Sequence, residues 1–118
     1  MIVRNVYGPE AERSTYVAHG GGMARMLLTS ELTRAIEFFA WGVLPAGGVL
    51  DEHVDAVEEV HFILSGGGRM KVGNEERDVK TWDAILIPAG EPHGLVNNTG
   101  ENTFVVIVAA YPGRGHSS

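Results

Sequence analysis

Short apolar runs separated by turn-forming residues dominate the pattern of this 118-residue chain. The runs recur about every 8–12 residues, and no segment keeps the 3.6-residue period of an amphipathic helix. We therefore predict an all-β fold of the sandwich or barrel type. The predicted strands cover residues 1–6 (an edge strand), 23–29, 35–44, 59–65, 69–72, 76–80, 84–87, 94–96 and 103–110, and residues 8–14 are predicted to be a polar connection.

Four side chains that can bind a metal or transfer a proton fall at odd-numbered positions, at His53, Asp55, Glu59 and His61. Side chains an even number of residues apart point the same way in an extended chain. If residues 56–58 form a bend that preserves this register, all four face one point. The opposite face is apolar and carries Val54, Val60, Phe62 and Leu64. The pattern predicts a strand pair that lines a cavity, although a lone histidine of this kind is more often a surface or core residue.

A second segment, residues 82–97, combines an apolar strand, a turn rich in proline and glycine, and a histidine. With this segment the chain resembles the cupin superfamily over about residues 35–111. The first cupin motif, G-x5-H-x-H-x3,4-E-x6-G, is matched by Gly47, His53, Glu59 and Gly66, with Asp55 where the second histidine usually stands. The second motif, G-x5-P-x-G-x2-H-x3-N, is matched by Pro88, Gly90, His93 and Asn97, with Trp82 in place of its glycine.

The resemblance implies a double-stranded β-helix of jelly-roll type, in a small single-domain cupin of the conserved-barrel (cupin 2) class. It also implies metal ligands at His53, Glu59 and His93, with Asp55 as a further candidate. Two imidazoles and one or two carboxylates suit a divalent ion such as Fe, Mn, Zn or Ni. Aspartate is shorter than histidine, so Asp55 could reach the ion through a water only. In that case His61 would be the fourth ligand or, together with Glu59, a catalytic acid/base group.

Length, charge and cysteine content limit the remaining possibilities. At 118 residues we expect one domain, with an N-terminal strand and loop over residues 1–34, a conserved barrel over 35–111 and a frayed tail over 112–118. A net charge of −6 disfavours a nucleic-acid partner. The chain contains no run of 18 apolar residues, so no membrane span is predicted. The N-terminus lacks the apolar stretch of a signal peptide, and the chain has no cysteine. We therefore expect a cytoplasmic protein.

Side-chain parity also predicts the substrate pocket. The expected lining residues are Phe38, Ala40, Gly42, Ile63, Leu95, Asn97, Val105 and Ile107. Neither arginine nor lysine occurs among the inward-facing positions predicted in this way. A phosphorylated sugar or a dicarboxylate would need such a cation. We therefore expect a small neutral or aromatic substrate.

Two glycine-rich segments are predicted to have backbone roles only. His19-Gly20-Gly21-Gly22 has the composition of a lipase oxyanion loop, but the chain lacks the Gly-x-Ser-x-Gly elbow, so we expect a flexible loop. The segment 66–68 lacks the Gly-Lys-Ser/Thr ending of a phosphate loop. It is predicted to be a bend that brings its two flanking strands together.

Three functions remain open for such a barrel. The first is a metal-dependent enzyme, with dioxygenase-like oxidation as the favoured reaction. The second is an isomerase or epimerase, with or without metal, that uses His61 and Glu59 as acid and base. The third is a non-catalytic small-molecule-binding or sensor barrel. We also expect a homodimer, because apolar side chains face outward on two predicted strands and the N-terminal strand is a candidate to cross to the partner's sheet. The outward set comprises Phe39, Trp41 and Val43 with Val54, Val60, Phe62 and Leu64.

Overall fold

The computed structural model describes residues 1–110, and the predicted tail, including His116, lies outside the described residues. The described part consists of one short helix and ten strands. The helix is α1 (Pro9–Arg13), and the strands are β1 (Tyr16–Ala18), β2 (Gly22–Thr29), β3 (Ile36–Leu44), β4 (Val49–His53), β5 (Glu59–Ser65), β6 (Gly67–Val72), β7 (Glu75–Lys80), β8 (Ala84–Ile87), β9 (His93–Val96) and β10 (Thr103–Ala110).

The strands form two antiparallel sheets whose apolar faces pack on each other. The larger sheet has the order β1-β2-β3-β10-β5-β8, and the smaller has the order β4-β9-β6-β7. The core between them is built from both sheets: Leu44, Ile63, Met70, Val79, Ile87, Leu95 and Val105. Inward residues on each strand alternate with outward ones, as a half-buried strand requires. The fold is therefore the all-β jelly roll that the sequence predicts.

The N-terminal region differs from its prediction. Residues 1–6 form no strand, and the residues predicted as a polar connection contain helix α1. Pro9 suits the first turn of a helix because its missing N–H needs no partner there, and Ala11 is the residue that the helix buries. Ile2 and Val3 remain 55% and 72% exposed, and among residues 1–110 they pair with no strand. The predicted edge strand was wrong, and the short strand β1 provides that edge instead.

Gly66 marks a change of sheet, not a bend that pairs its neighbours. β5 belongs to the larger sheet and β6 to the smaller, where β6 pairs with β7 and β9. Gly66 has φ +93, and a Cβ there would lie 2.6 Å from the Thr103 hydroxyl oxygen. Only glycine fits this combination of backbone angle and close approach. The predicted pairing across residues 66–68 was therefore wrong.

The stretch that carries the predicted ligands likewise connects the two sheets. β4 lies in the smaller sheet and β5 in the larger one, so they are not the strand pair that alternation suggested. The residues between them cross from one sheet to the other. The outward face is also less covered than expected, because Val54 is 59% exposed and Val60 is 37% exposed. The inward faces of β4, β9 and β5 nevertheless meet where the candidate site lies.

Candidate metal centre

Three strands deliver the polar side chains of the site. His53 ends β4 and is paired with His93, the first residue of β9. From the opposite sheet, β5 contributes Glu59 and His61 on its inward face, both 7% exposed. Asp55 follows β4 in the crossing segment. The convergence of these five residues, as predicted from two sequence segments, is present in the structure.

The backbone fixes the ring orientation of His53 and His93 in the same way. Nδ1 of His53 lies 2.9 Å from the Asp51 carbonyl oxygen, and Nδ1 of His93 lies 3.0 Å from the Glu91 carbonyl oxygen. Because a carbonyl oxygen only accepts, each Nδ1 carries the hydrogen. Each Nε2 therefore points into the site, where the neutral ring would offer its lone pair, which is how backbone contacts prepare a histidine to ligate a metal.

His93 Nε2 is the centre of the cluster. It lies 3.3 Å from Asp55 Oδ2 and 3.9 Å from Glu59 Oε1, and the His93 side chain is 1% exposed. It has no hydrogen-bond partner among the described residues, although buried polar atoms almost always have one. A lone pair that is buried, aimed at two carboxylates and unsatisfied is what a ligand atom for a cation requires.

The donor atoms form two overlapping trios. His53, Asp55 and His93 make one, Glu59, His61 and His93 make the other, and the donor atoms of each trio lie within 4.8 Å of one another. Imidazole nitrogens and carboxylate oxygens suit a divalent transition metal. The site residues therefore fit such an ion. The set implied by the cupin resemblance, His53, Glu59 and His93, draws on both trios.

The pKa values of the two carboxyl groups of the site are shifted in opposite directions. Burial raises the pKa of Asp55, and the neighbouring Glu59 carboxylate raises it further. Burial acts in the same direction on the pKa of Glu59. The hydrogen bond and charge of His61 oppose that effect, and the net pKa of Glu59 is lowered. Glu59 is therefore the carboxylate that stays ionised, and Asp55 is the one that takes up a proton first.

His61 and Glu59 form a buried pair. His61 Nε2 lies 2.9 Å from Glu59 Oε1, and both side chains are 8% exposed. The contact places a proton-carrying group next to a carboxylate inside the barrel. If Nε2 were also the nitrogen that His61 offers to a metal, the residue would have to release Glu59 in order to ligate. This geometry keeps both predicted roles of His61 open.

Two residues at the site were not predicted from the sequence. His19 stacks on His53, with ring centroids 3.4 Å apart and ring planes 10° apart. Burial and then His53 lower the pKa of His19. Burial and then Glu59 raise the pKa of the Tyr16 phenol. For Tyr16 the apolar–polar pattern of a three-residue strand was too short to detect. For His19 the only signal was its position before three glycines, which we interpreted as a flexible loop.

The residues predicted to line the substrate pocket lie inside the barrel and do not line the groove that opens between β7 and β8. Ile63, Leu95 and Val105 belong to the packed core, and Ala40 is fully buried. Phe38, Gly42 and Ile107 stand on the same inward faces of their strands. A groove of about 610 Å³ lies elsewhere, between β7 and β8, and includes Met70, Val72, Arg77 and Ile85. Val72 pairs with His93 and Ile85 pairs with His61, so the groove lies beside the strands of the site.

The Asn97 side chain holds neighbouring loop segments together through hydrogen bonds. The two hydrogens of its amide nitrogen are shared among the backbone carbonyls of Leu44, Pro45 and Glu101, at 2.9, 3.1 and 2.7 Å. Its side-chain oxygen accepts from the Thr99 N–H at 3.0 Å and from the Thr99 hydroxyl at 2.7 Å. The side chain is fully buried, so these contacts use its hydrogen-bonding capacity. A role for Asn97 in contacting a substrate stays a prediction.

Comparison with known proteins identifies the class. The cupin domain family model matches residues 40–109, and the chain belongs to the cupin family. An uncharacterized protein of Methanocaldococcus jannaschii is 29% identical over 120 residues, covering 98% of this chain and 94% of that protein. The chain is thus a cupin that fills almost the whole length of this relative.

Solved structures share the fold. A predicted oxalate decarboxylase from Thermotoga maritima matches with a TM-score of 0.75 and 24% identity, covering 93% of this chain and 98% of that one. The polyketide cyclase RemF from Streptomyces resistomycificus matches with a TM-score of 0.69 and 22% identity, covering 80% of this chain and 68% of that one. At these identities the likeness establishes the jelly-roll barrel. Among residues 1–110, no helix is long and apolar enough to cross a membrane.

Proposed function

We propose that this cupin is a metal-dependent enzyme that oxidises a small neutral or aromatic molecule. The ion would be held by His53, Glu59 and His93, with Asp55 or His61 as a fourth ligand. The observation that carries the proposal is the buried, unsatisfied Nε2 of His93, which faces two carboxylates. In the neutral ring that atom is a buried acceptor that faces other acceptors, and a bound cation would satisfy all of them.

Some residues would bind the metal ion, and others would keep water away from it. The backbone carbonyls of Asp51 and Glu91 hold the two imidazoles with Nε2 toward the site. Glu59, with its lowered pKa, supplies a negative charge that persists to lower pH than an ordinary glutamate. A redox-active ion with open coordination positions would supply oxidation chemistry that no side chain offers. The buried apolar residues around the site exclude water from that chemistry.

Exposure indicates the side from which a small molecule would approach. The side chains of Asp55 and His53 are 31% and 19% exposed, whereas those of Glu59 and His61 are 8% exposed. The more exposed pair faces the entrance, and the buried pair forms the floor. Because the core residues behind this floor are apolar, a neutral or aromatic substrate fits better than a charged one.

A second candidate rests on the buried contact between His61 and Glu59. At 2.9 Å this pair can share a proton, so that one member could take a proton from a substrate and the other return it, as an isomerase or epimerase requires. Such a reaction would run with or without a metal. The third candidate is a barrel that uses the same site to bind a small molecule. It differs from the other two because the bound molecule is not converted.

We also propose that the protein is a homodimer. The outward face of the larger sheet carries many apolar side chains that a single chain leaves accessible, among them Val60 at 37% and Leu86 at 57% exposure. An exposed apolar face of several hundred Å² usually marks an interface. A second copy of the chain would cover it.

Oxygen consumption tests the oxidative proposal. Metal-free protein is loaded anaerobically with Fe(II), oxygen is admitted, and uptake is followed across catechols, thiols, β-diketones and styrenes. Uptake that depends on substrate, on Fe(II) and on His93 supports the proposal, with His93→Ala as the control. Substrate conversion that persists without metal and is lost in Glu59→Gln would favour the isomerase. No conversion, while a compound raises the melting temperature, would favour the binding protein.

A further inference from the structure

The segment His19-Gly20-Gly21-Gly22 is fastened to strand β4. The N–H of Asp51 donates to the His19 carbonyl oxygen at 2.9 Å, and Gly20 forms an isolated antiparallel bridge with Leu50. The expectation of a flexible loop was therefore wrong. We refer to residues 19–22 as the strap, because they tie the N-terminal region to the strand that ends in His53.

Glycine is required for this close contact. A Cβ at Gly20, which has φ +87, would lie 2.3 Å from Asp51 Oδ2, and a Cβ at Gly21 would lie 2.2 Å from the Val49 carbonyl oxygen. The first neighbour is the end of a side chain, but the second is backbone and cannot move away without displacing β4. The glycines thus bring the strap against β4, and this approach places the His19 ring over His53.

The His19 ring makes a face-to-face contact with His53. The ring centroids are 3.4 Å apart and the planes differ by 10°. On the inner side, His93 lies 4.2 Å from His53, centroid to centroid, at an angle of 60°. The His53 ring therefore contacts two other imidazoles, and only His19 is stacked on it face to face. Within residues 1–110, the ring nitrogens of His19 make no hydrogen bond, so its contact with the site is through the ring face.

The two ligating histidines differ in how they are supported. The side chain of His93 is 1% exposed and is enclosed by the barrel, whereas that of His53 is 19% exposed at the end of its strand. A ring that is partly open to solvent can turn by about 180° around its bond to Cβ. The ring carbon Cδ2 would then replace Nδ1 beside the Asp51 carbonyl. Such a rotation would turn Nε2 away from the site. The hydrogen bond from Nδ1 to the Asp51 carbonyl opposes this rotation, and a contact with the ring face would add a second restraint.

We propose that His19 is a positioning residue that fixes the His53 ring through stacking, with Nε2 directed at the candidate metal. The importance for metal binding rests on the proposed function, but the effect on the His53 ring does not. His19 itself is not a ligand in this assignment. The strap is thus part of the site, and its role is to hold one ligand in a binding-competent orientation before the metal arrives.

The ring state of His53 in metal-free protein gives the direct test. Long-range ¹H–¹⁵N NMR at about pH 8.5, above the usual titration range of imidazole, reports which ring nitrogen carries the hydrogen. The wild-type His53 ring should show the Nδ1–H form alone. His19→Asn removes the ring, and Asn tolerates the left-handed backbone of residue 19, which has φ 47. In this variant the His53 signals should show a mixture of both tautomers or broaden.

Two further variants distinguish stacking by the ring face from a contact through the ring nitrogens. His19→Phe keeps a flat ring without nitrogens and should restore the single Nδ1–H form. Val17→Ala, at a 73% exposed position on the neighbouring strand, is the matched control and should leave His53 unchanged. An unchanged His53 ring in His19→Asn would overturn the proposal. Failure of His19→Phe to restore it, in protein whose backbone amide signals around residue 19 match wild type, would also overturn the proposal, because a stacked ring face would then not be enough.

Metal release measured by chelator competition adds a second readout. His19→Asn should release the metal about 10-fold faster than wild type, as expected when a contact that orients a ligand is lost, and His19→Phe should stay within about 3-fold. Equal release rates in His19→Asn and wild type would contradict the positioning role. If wild-type protein binds no metal, the proposed function fails, and the NMR comparison still decides the role of His19.

Discussion

His53 and His93 face each other from paired positions on neighbouring strands, and each ring is tied through Nδ1 to the carbonyl oxygen two residues earlier in the chain. This repetition gives both rings the same tautomer and directs both Nε2 atoms into one space. Neither contact involves the carboxylates of the site. The backbone therefore prepares the two imidazoles for metal binding independently of Asp55 and Glu59.

Replacing Asp55 by asparagine should stabilise the metal-free protein near neutral pH. A carboxyl whose pKa is raised in the folded state holds its proton more tightly there than in the unfolded chain. The free energy of unfolding therefore falls as the pH rises from the ordinary value of 3.8 through the raised value. Asparagine resembles the protonated form and avoids this loss. Urea unfolding with a chelator present should show Asp55→Asn gaining stability relative to wild type between about pH 4 and pH 7.

The test is how the difference in unfolding free energy between Asp55→Asn and wild type changes from about pH 4 to about pH 7. If the difference between Asp55→Asn and wild type is the same at both pH values, the Asp55 carboxylate is not destabilised by burial and by Glu59. In metal-binding assays the same variant should bind more weakly. A stabilising substitution that weakens binding indicates that the site is maintained for function.

Asn97 should affect stability and not metal binding. Asn97→Ala removes the donor to the buried Leu44 carbonyl and to the part-buried carbonyls of Pro45 and Glu101, and should cost about 1–3 kcal/mol in urea unfolding. Asn98→Ala, at an exposed neighbouring position, should have little effect. The folded fraction of Asn97→Ala should still bind one metal per chain. Loss of metal with unchanged stability would show that Asn97 acts at the site.

A charge on the outward face of the larger sheet should dissociate the proposed dimer. Light scattering of wild-type protein at micromolar concentration should give twice the monomer mass, and Val60→Lys should give the monomer mass. Val49→Lys is the matched control, because Val49 is the same residue type at similar exposure (41% against 37%) on the smaller sheet. A monomeric wild-type protein, or a dimer that both variants leave intact, would contradict this assignment of the interface.

Alternation of side chains predicted which polar groups converge, because alternation is a local property. His53, Asp55, Glu59 and His61 converge as their parity indicates, although β4 and β5 belong to different sheets. The crossing segment preserves which side chains face inward even though it changes the sheet. Parity alone does not specify the strand partner. The predicted strand pair was wrong for this reason, while the faces were right.

The missed features depend on contacts between distant parts of the chain. His19 reaches the site only because Gly20 pairs with Leu50, thirty positions later, and glycines by themselves suggest flexibility. The apolar residues Ile2 and Val3 resemble an edge strand, but β1 already forms that edge of the larger sheet. Similarly, Gly66 looked like a simple turn, because its change of sheet follows from the pairing of β6 with β7 and β9.

The metal content of the purified protein is the most direct test of the metal centre. Protein prepared without a histidine tag or chelator is analysed for Fe, Mn, Zn and Ni, beside His93→Ala and a stable control, Val17→Ala. We predict about one metal ion per chain in wild type and Val17→Ala, consistent with one cluster centred on His93 Nε2, and almost none in folded His93→Ala. Metal-free wild-type protein that takes up no divalent ion on reloading, or full metal content in His93→Ala, would contradict the account.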